Sequence, residues 1–141
     1  MRTFDEALAA LSALGELKPG PGGWSPGQVL AHCAQSIELS LTGFPRQRSW
    51  VVRNVFGPLV KRRFLKAGRM THDLVGPIPG ADEIDPATTQ DEGRERLERA
   101  IAAFRAHQGP LAPHFAYGAV SREEYEALHA MHLADHLASM Q

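Results

Sequence analysis

Ser121-Arg122-Glu123-Glu124-Tyr125-Glu126-Ala127-Leu128-His129-Ala130-Met131-His132-Leu133-Ala134-Asp135-His136-Leu137-Ala138-Ser139-Met140 carries the strongest structural signal in the chain. Ser121 followed three residues later by Glu124 is a capping-box pattern, and Val120 with Tyr125 is placed for a hydrophobic staple across it. At about 100° of rotation per residue, Tyr125, Leu128, His129, His132, Leu133, His136, Leu137 and Met140 fall inside one broad stripe. That stripe is the face a globular helix turns inward. Three imidazoles in an apolar interior need partners, because buried polar groups are costly when unpaired.

Similar helical signals recur upstream. Thr3 with Glu6 opens a first helix, with Leu8, Leu11 and Leu14 following Phe4 at helical spacing, and the Gly- and Pro-rich run from Gly15 to Gly23 closes it. Ser25 caps a second helix with Pro26 at its first position and Gln28 completing the box, and Trp24 and Val29 form the candidate staple. This helix ends at Gly43 and Pro45 and turns Val29, His32, Cys33, Ser36, Ile37 and Ser40 to one side. Residues 48–66 read as a helix that Gly57-Pro58 should kink or split, since proline donates no interior hydrogen bond. Residues 67–86 form a long crossover, pinned by Leu74, Val75, Ile78 and Ile84. A fourth helix starts at Thr88 or Thr89 and ends near His107. No segment alternates for long, and no hairpin turn or 20–50-residue repeat is visible. The expectation is an all-α bundle of four helices plus a broken one, forming one domain over residues 1–141.

Composition narrows the function classes. The 141 residues are 43 % apolar and 22 % charged, with a formal charge of −1. That balance gives no general reason to bind nucleic acid or an anionic membrane. No apolar run is long enough to span a bilayer, the N-terminus lacks a signal-peptide layout, and the single cysteine, Cys33, excludes an internal disulfide. A cytoplasmic location is expected. Eight basic residues from Arg46 to Arg69 and a carboxylate-rich stretch from Asp82 to Glu98 read as solvated surfaces that could face each other, or as a rim for an anionic ligand. Cys33 has no activating neighbour and reads as a small buried residue. There is no phosphate-cradling glycine motif, no CxxC and no Gly-x-Ser-x-Gly elbow.

The chemistry rests on histidine spacing. His132 and His136, four apart on a helix, sit one above the other about 6 Å apart along the axis and can share an ion. His129 and His132 form the other workable pair. A third ligand from a facing helix is wanted, and His32, on the inward side of the second helix, is the candidate. Three neutral imidazoles suit Zn, Ni, Fe(II) or Cu. The competing reading is that these histidines are core residues bonded to carbonyls or to Glu. His72, His107 and His114, in loops or at a helix end, are set aside.

The order Trp24 to His32, a long middle, then Ser121 to Tyr125 and Leu128 to Leu137 resembles the DinB-like superfamily of metal-binding four-helix bundles. The likeness is greatest to an uncharacterised subfamily in which a Gly-x-x-Ser/Thr-x-Glu-Glu segment, here Gly118 to Glu124, precedes the histidine helix. Trp50 to Gly57 and the Pro-rich crossover share it. The resemblance implies a metal site of His32, His132 and His136 binding Zn, Ni or Fe. It also implies frequent dimerisation, and relatives that include thiol-dependent transferases. Where relatives often carry a second histidine before the last ligand, this chain has Asp135.

The expected function is a metal-dependent enzyme activating a thiol or water, with a small anionic thiol or other small molecule as substrate. His129 is the candidate proton acceptor or supporting residue, and Asp135 the candidate for orienting a ligand ring. The alternative is a non-catalytic bundle acting through a homodimer or protein partner, with Trp50, Phe56 and Phe64 as a candidate surface.

Overall fold

The computed structural model describes all 141 residues, and its elements are helices with no strand. The helices are α1 (Phe4–Ser12), α2 (Pro26–Thr42), α3 (Gly57–Ala67), α4 (Gln90–Ala106) and α5 (Arg122–Ala138). Four of them start on complete capping boxes: Thr3 with Glu6, Ser25 with Gln28, Thr89 with Glu92 and Ser121 with Glu124. Each box satisfies two of the backbone N–H groups that a helix start leaves open.

The disturbance expected at Gly57-Pro58 takes the form of a widened turn and not a break in the chain. The backbone remains helical through it, with φ −59° and ψ −49° at Gly57. A wide turn over Val52–Phe56 precedes it, in which the Gly57 N–H donates to the Val52 carbonyl five residues back. Pro58 has no N–H to donate, and the helix runs on from the widened turn, so the segment bulges without splitting.

The core is built where α2, α4 and α5 meet, with α1 laid across α4 and α5. Phe4, Leu11, Leu30, Leu97, Ile101 and Leu133 are almost fully buried there. The approach of α2 to the start of α4 is close. A Cβ built on Gly27 would lie 1.9 Å from the Thr88 carbonyl oxygen. Only a glycine lets these two backbones meet.

The crossover from α3 to α4 is anchored more sparsely than expected. Ile78 is buried and joins the core, Leu74 and Ile84 are half-buried, and Val75 is exposed. Polar bonds complete the anchorage: the Gln35 side-chain amide donates to the Asp82 carbonyl, and the Ser25 hydroxyl reaches the Thr88 carbonyl. The basic segment 46–69 forms no ion pair with residues 82–98. Lys61 instead turns inward to Glu124 at 2.8 Å and to the Ala119 carbonyl at 3.0 Å. Glu38 holds Arg96 through two bonds. No helix is long and apolar enough to cross a membrane.

Candidate metal centre

His32 sits in the second turn of α2, and His132 and His136 in the last two turns of α5. The α2–α5 contact brings them together. One ring nitrogen from each lies within 4.8 Å of the other two, so this group could hold a metal ion. The His132 and His136 Nε2 atoms are 3.2 Å apart, and the His32 ring lies 5.1 and 5.2 Å from those of His132 and His136. The edge of Trp24, placed by the turn before the Ser25 cap, meets the His32 ring at 5.4 Å.

A fourth imidazole packs against two of these three rings. His72, on the crossover, has its ring centre 4.5 Å from His132 and 4.7 Å from His136, and its Nε2 is 3.1 Å from His136 Nε2. His72 lies in a loop, as expected, but that loop brings its ring against the histidine helix. The signal that could have found it is its place in a crossover that must pass back over the histidine helix. Asp135 holds this ring: its Oδ2 lies 2.6 Å from His72 Nδ1 and also accepts the His72 backbone N–H at 3.2 Å.

The residues fit a cation on the chemistry of the donor set. One imidazole nitrogen carries either a proton or an in-plane lone pair. His136 Nε2 faces both His72 Nε2 and His132 Nε2, and no placement of protons on neutral rings makes both contacts hydrogen bonds. Buried His32 Nδ1 also has no protein partner. Lone pairs converging on one ion remove the conflict. With Zn–N bonds of about 2.0–2.1 Å, tetrahedral geometry places ligand nitrogens roughly 3.3 Å apart, close to the 3.2 Å between the His132 and His136 Nε2 atoms.

Burial also sets the protonation state. It pushes the His32 imidazole down to about 4 and His136 to about 3, and drives His132 well below the ordinary histidine range, with the neighbouring rings acting in the same direction. His72 is lowered by burial despite the opposing pull of Asp135. The ligand set is therefore neutral at pH 7, as metal binding requires.

His129, one turn before His132, lines the cavity beside the cluster and is packed into the core. Its ring stacks between Tyr125 at 5.2 Å and Phe4 at 6.4 Å, and its Nε2 is 3.2 Å from the Ser40 hydroxyl. Ser40 donates its one proton to the Ile37 carbonyl at 2.6 Å, so His129 must be the donor in that pair. No hydrogen bond or ring contact joins His129 to the four-imidazole cluster. Its contacts are those of a packed, hydrogen-bonded core residue. Cys33 is buried, and burial raises its thiol far above the reactive range, in line with a packing role.

A cavity of about 200 Å³ opens over the cluster. His32, His72 and His132 line one side, Met70 and Ile78 belong to the crossover, and Tyr117 comes from the loop before α5. Arg48 is the one Lys or Arg side chain on its wall.

Two further histidines give a pH prediction. Burial lowers both His114 and His129 to about 3, against about 6.5 in an unfolded chain. His114 Nδ1 accepts the Ala116 and Tyr117 backbone N–H groups, which its protonation would break. Below pH 6.5 the unfolded chain binds protons that the fold refuses. The stability these rings contribute is complete above that pH and falls as pH drops from 6.5 toward 3, by about 1.4 kcal/mol per pH unit for each ring. Urea unfolding in chelator should lose stability steadily between pH 6.5 and 4.5. A flat profile there would show that the rings are not held neutral.

No curated protein and no solved structure matches the chain. A family model does, described as "Protein of unknown function (DUF1569)", over residues 2–141. With a helical bundle and a three-histidine group in place, that match over nearly the whole length means that this chain belongs to the DUF1569 family, whose domain is of the DinB-like type.

Proposed function

We propose that this protein is a metal-dependent enzyme acting on a small molecule, with a divalent Zn, Ni or Fe ion held by His32, His132 and His136. The observation that carries the reading is the meeting of three neutral, inward-facing imidazoles from α2 and α5 beside a cavity of about 200 Å³. A bound divalent ion would supply Lewis acidity, making a thiol or water more acidic near neutral pH.

The chain's own residues define the rest of the site. Trp24 packs edge-on against His32 and limits how that ring can turn. Met70, Ile78 and Leu128 give the cavity apolar walls that exclude water and strengthen electrostatic contacts inside. Arg48 offers a guanidinium for a carboxylate on the substrate. A small thiol bearing a carboxylate matches these features. Of the two residues expected to assist, Asp135 reaches the cluster through His72. His129 lines the same cavity beside His132, where it would serve as a supporting residue.

A screen of cellular thiols against electrophiles, with and without chelator, tests the reading. Turnover that chelator abolishes and one divalent ion restores is the expected result. Chelator-insensitive turnover, or none with any thiol or water, would reject it. A second reading is favoured by one observation: Trp50 is 67 % exposed and Phe56 59 % exposed, beside exposed Val51, Val55, Leu59 and Val60. That apolar helix face suits a bundle that works by pairing with a second copy or another protein. It becomes the better account if the screen finds no turnover and the protein sediments as a dimer that Trp50→Ser with Phe56→Ser dissociates.

A further inference from the structure

We infer that His72 is a fourth protein ligand of the metal centre, delivered by the crossover and positioned by Asp135. The inference rests on the metal-site reading above and extends it from three ligands on two helices to a set that includes a loop.

Three observations carry it. The carboxylate of Asp135 lies 2.6 Å from His72 Nδ1, and an ionised carboxylate only accepts. The Nδ1 of a neutral His72 must therefore carry the proton, which leaves the Nε2 lone pair free. That Nε2 is 3.1 Å from His136 Nε2, as close as His136 is to His132 across their 3.2 Å contact. A carboxylate on the far nitrogen is also the arrangement that fixes the tautomer and raises the basicity of ligating histidines. Finally, the main chain is clamped as well as the side chain, because Asp135 Oδ2 also accepts the His72 backbone N–H. One carboxylate on α5 thus sets both the position and the ring of a residue 63 positions away.

Two consequences distinguish this ligand from the others. Coordination by His72 ties the crossover to α5, and with it Met70 and Ile78, which wall the cavity. With His72 bound, a four-coordinate ion has no open position; being on a connection and not a helix, His72 is the one ligand that can leave, without disturbing the bundle, to admit a thiol or water. Metal binding and the shape of the substrate cavity are then coupled through one loop residue.

Zinc affinity, measured by competition with a chromophoric chelator, tests this on the tag-free full chain. X-ray absorption counts the imidazoles. The wild type should show four imidazoles and His72→Gln three, with affinity at least tenfold weaker. Asp135→Asn should weaken binding by a smaller factor, and add little in the His72→Gln background, because its effect passes through that ring. Asp135→Glu, which keeps the acceptor, should recover part of the loss. If His72→Gln binds zinc as tightly as wild type while His132→Ala does not, the fourth ligand is wrong and the three-histidine site stands. If neither wild type nor any variant binds zinc, nickel or iron, both readings fall. Far-UV circular dichroism checks that each variant is folded. Should His72→Gln not fold, the imidazole count of the wild type decides alone: four supports the inference and three overturns it.

Discussion

His132→Ala should strip the protein of bound metal and remove its response to added metal, while leaving the helices in place. His132, like His136, touches every other ring of the cluster: its ring lies 5.1, 4.5 and 4.8 Å from those of His32, His72 and His136. Two ligands four apart on one helix form the fixed half of the site; without His132 that pair is gone, and the imidazoles left come singly from α2, the crossover and α5. Wild-type protein purified without an affinity tag should carry about one divalent ion per chain, and the variant a small fraction of that. The accompanying stability change follows from linkage. A ligand at a thousand times its dissociation constant stabilises the fold by about 4 kcal/mol. In a chain of this size that raises the melting temperature by roughly 10 °C. The variant should melt at the same temperature with and without metal. Metal retained at wild-type stoichiometry in His132→Ala would locate the ion elsewhere in the molecule.

Phe104→Ala should be the most destabilising single truncation in the core. Phe104, on α4, is 2 % exposed. Its ring meets Phe4 of α1 edge-on at 5.2 Å and His129 of α5 at 6.0 Å, and the Arg122 guanidinium lies 5.2 Å from its centre. The Arg122 side chain also donates to the Phe104 carbonyl at 3.0 Å. Three helices therefore share this one ring. Removing it loses the transfer free energy of the aromatic group and leaves a cavity whose walls are other rings, which collapse poorly; the expected cost is about 3–5 kcal/mol. Against a total of about 5–15 kcal/mol for a typical domain, that is a large share. Phe56→Ala, on the exposed side of the molecule, should change stability by less than about 0.5 kcal/mol. Urea unfolding of both variants gives the comparison. A loss below about 1 kcal/mol for Phe104→Ala would mean that α1, α4 and α5 do not meet as described.

These two residues differ in how readily the sequence reveals them. Phe104 follows from helical periodicity after Leu97 and Ala100, and the pair His132 and His136 from a spacing of four. Both are local relations, set by 3.6 residues per turn whatever the rest of the chain does. The addition of His32 needed only the inward face of a second amphipathic helix. Gly57-Pro58 shows the limit of local rules. They say that proline must disturb the helix, but whether the chain splits or bulges depends on what packs beside it, and here the Ala116 carbonyl lies where a Cβ on Gly57 would be.

Helix starts, the inward histidine stripe and the all-α class were legible from the chain alone, because caps and periodicity act over three or four residues. The partnership of Asp135 with His72, the bond of His129 to Ser40, and the glycine contact between α2 and α4 were not. Each joins residues more than sixty positions apart, and the geometry of an irregular crossover has no repeat from which such a meeting could be calculated. It is fixed by where Ile78 is buried and which backbones approach closely, so the outer part of the candidate metal centre exists only once the bundle has closed.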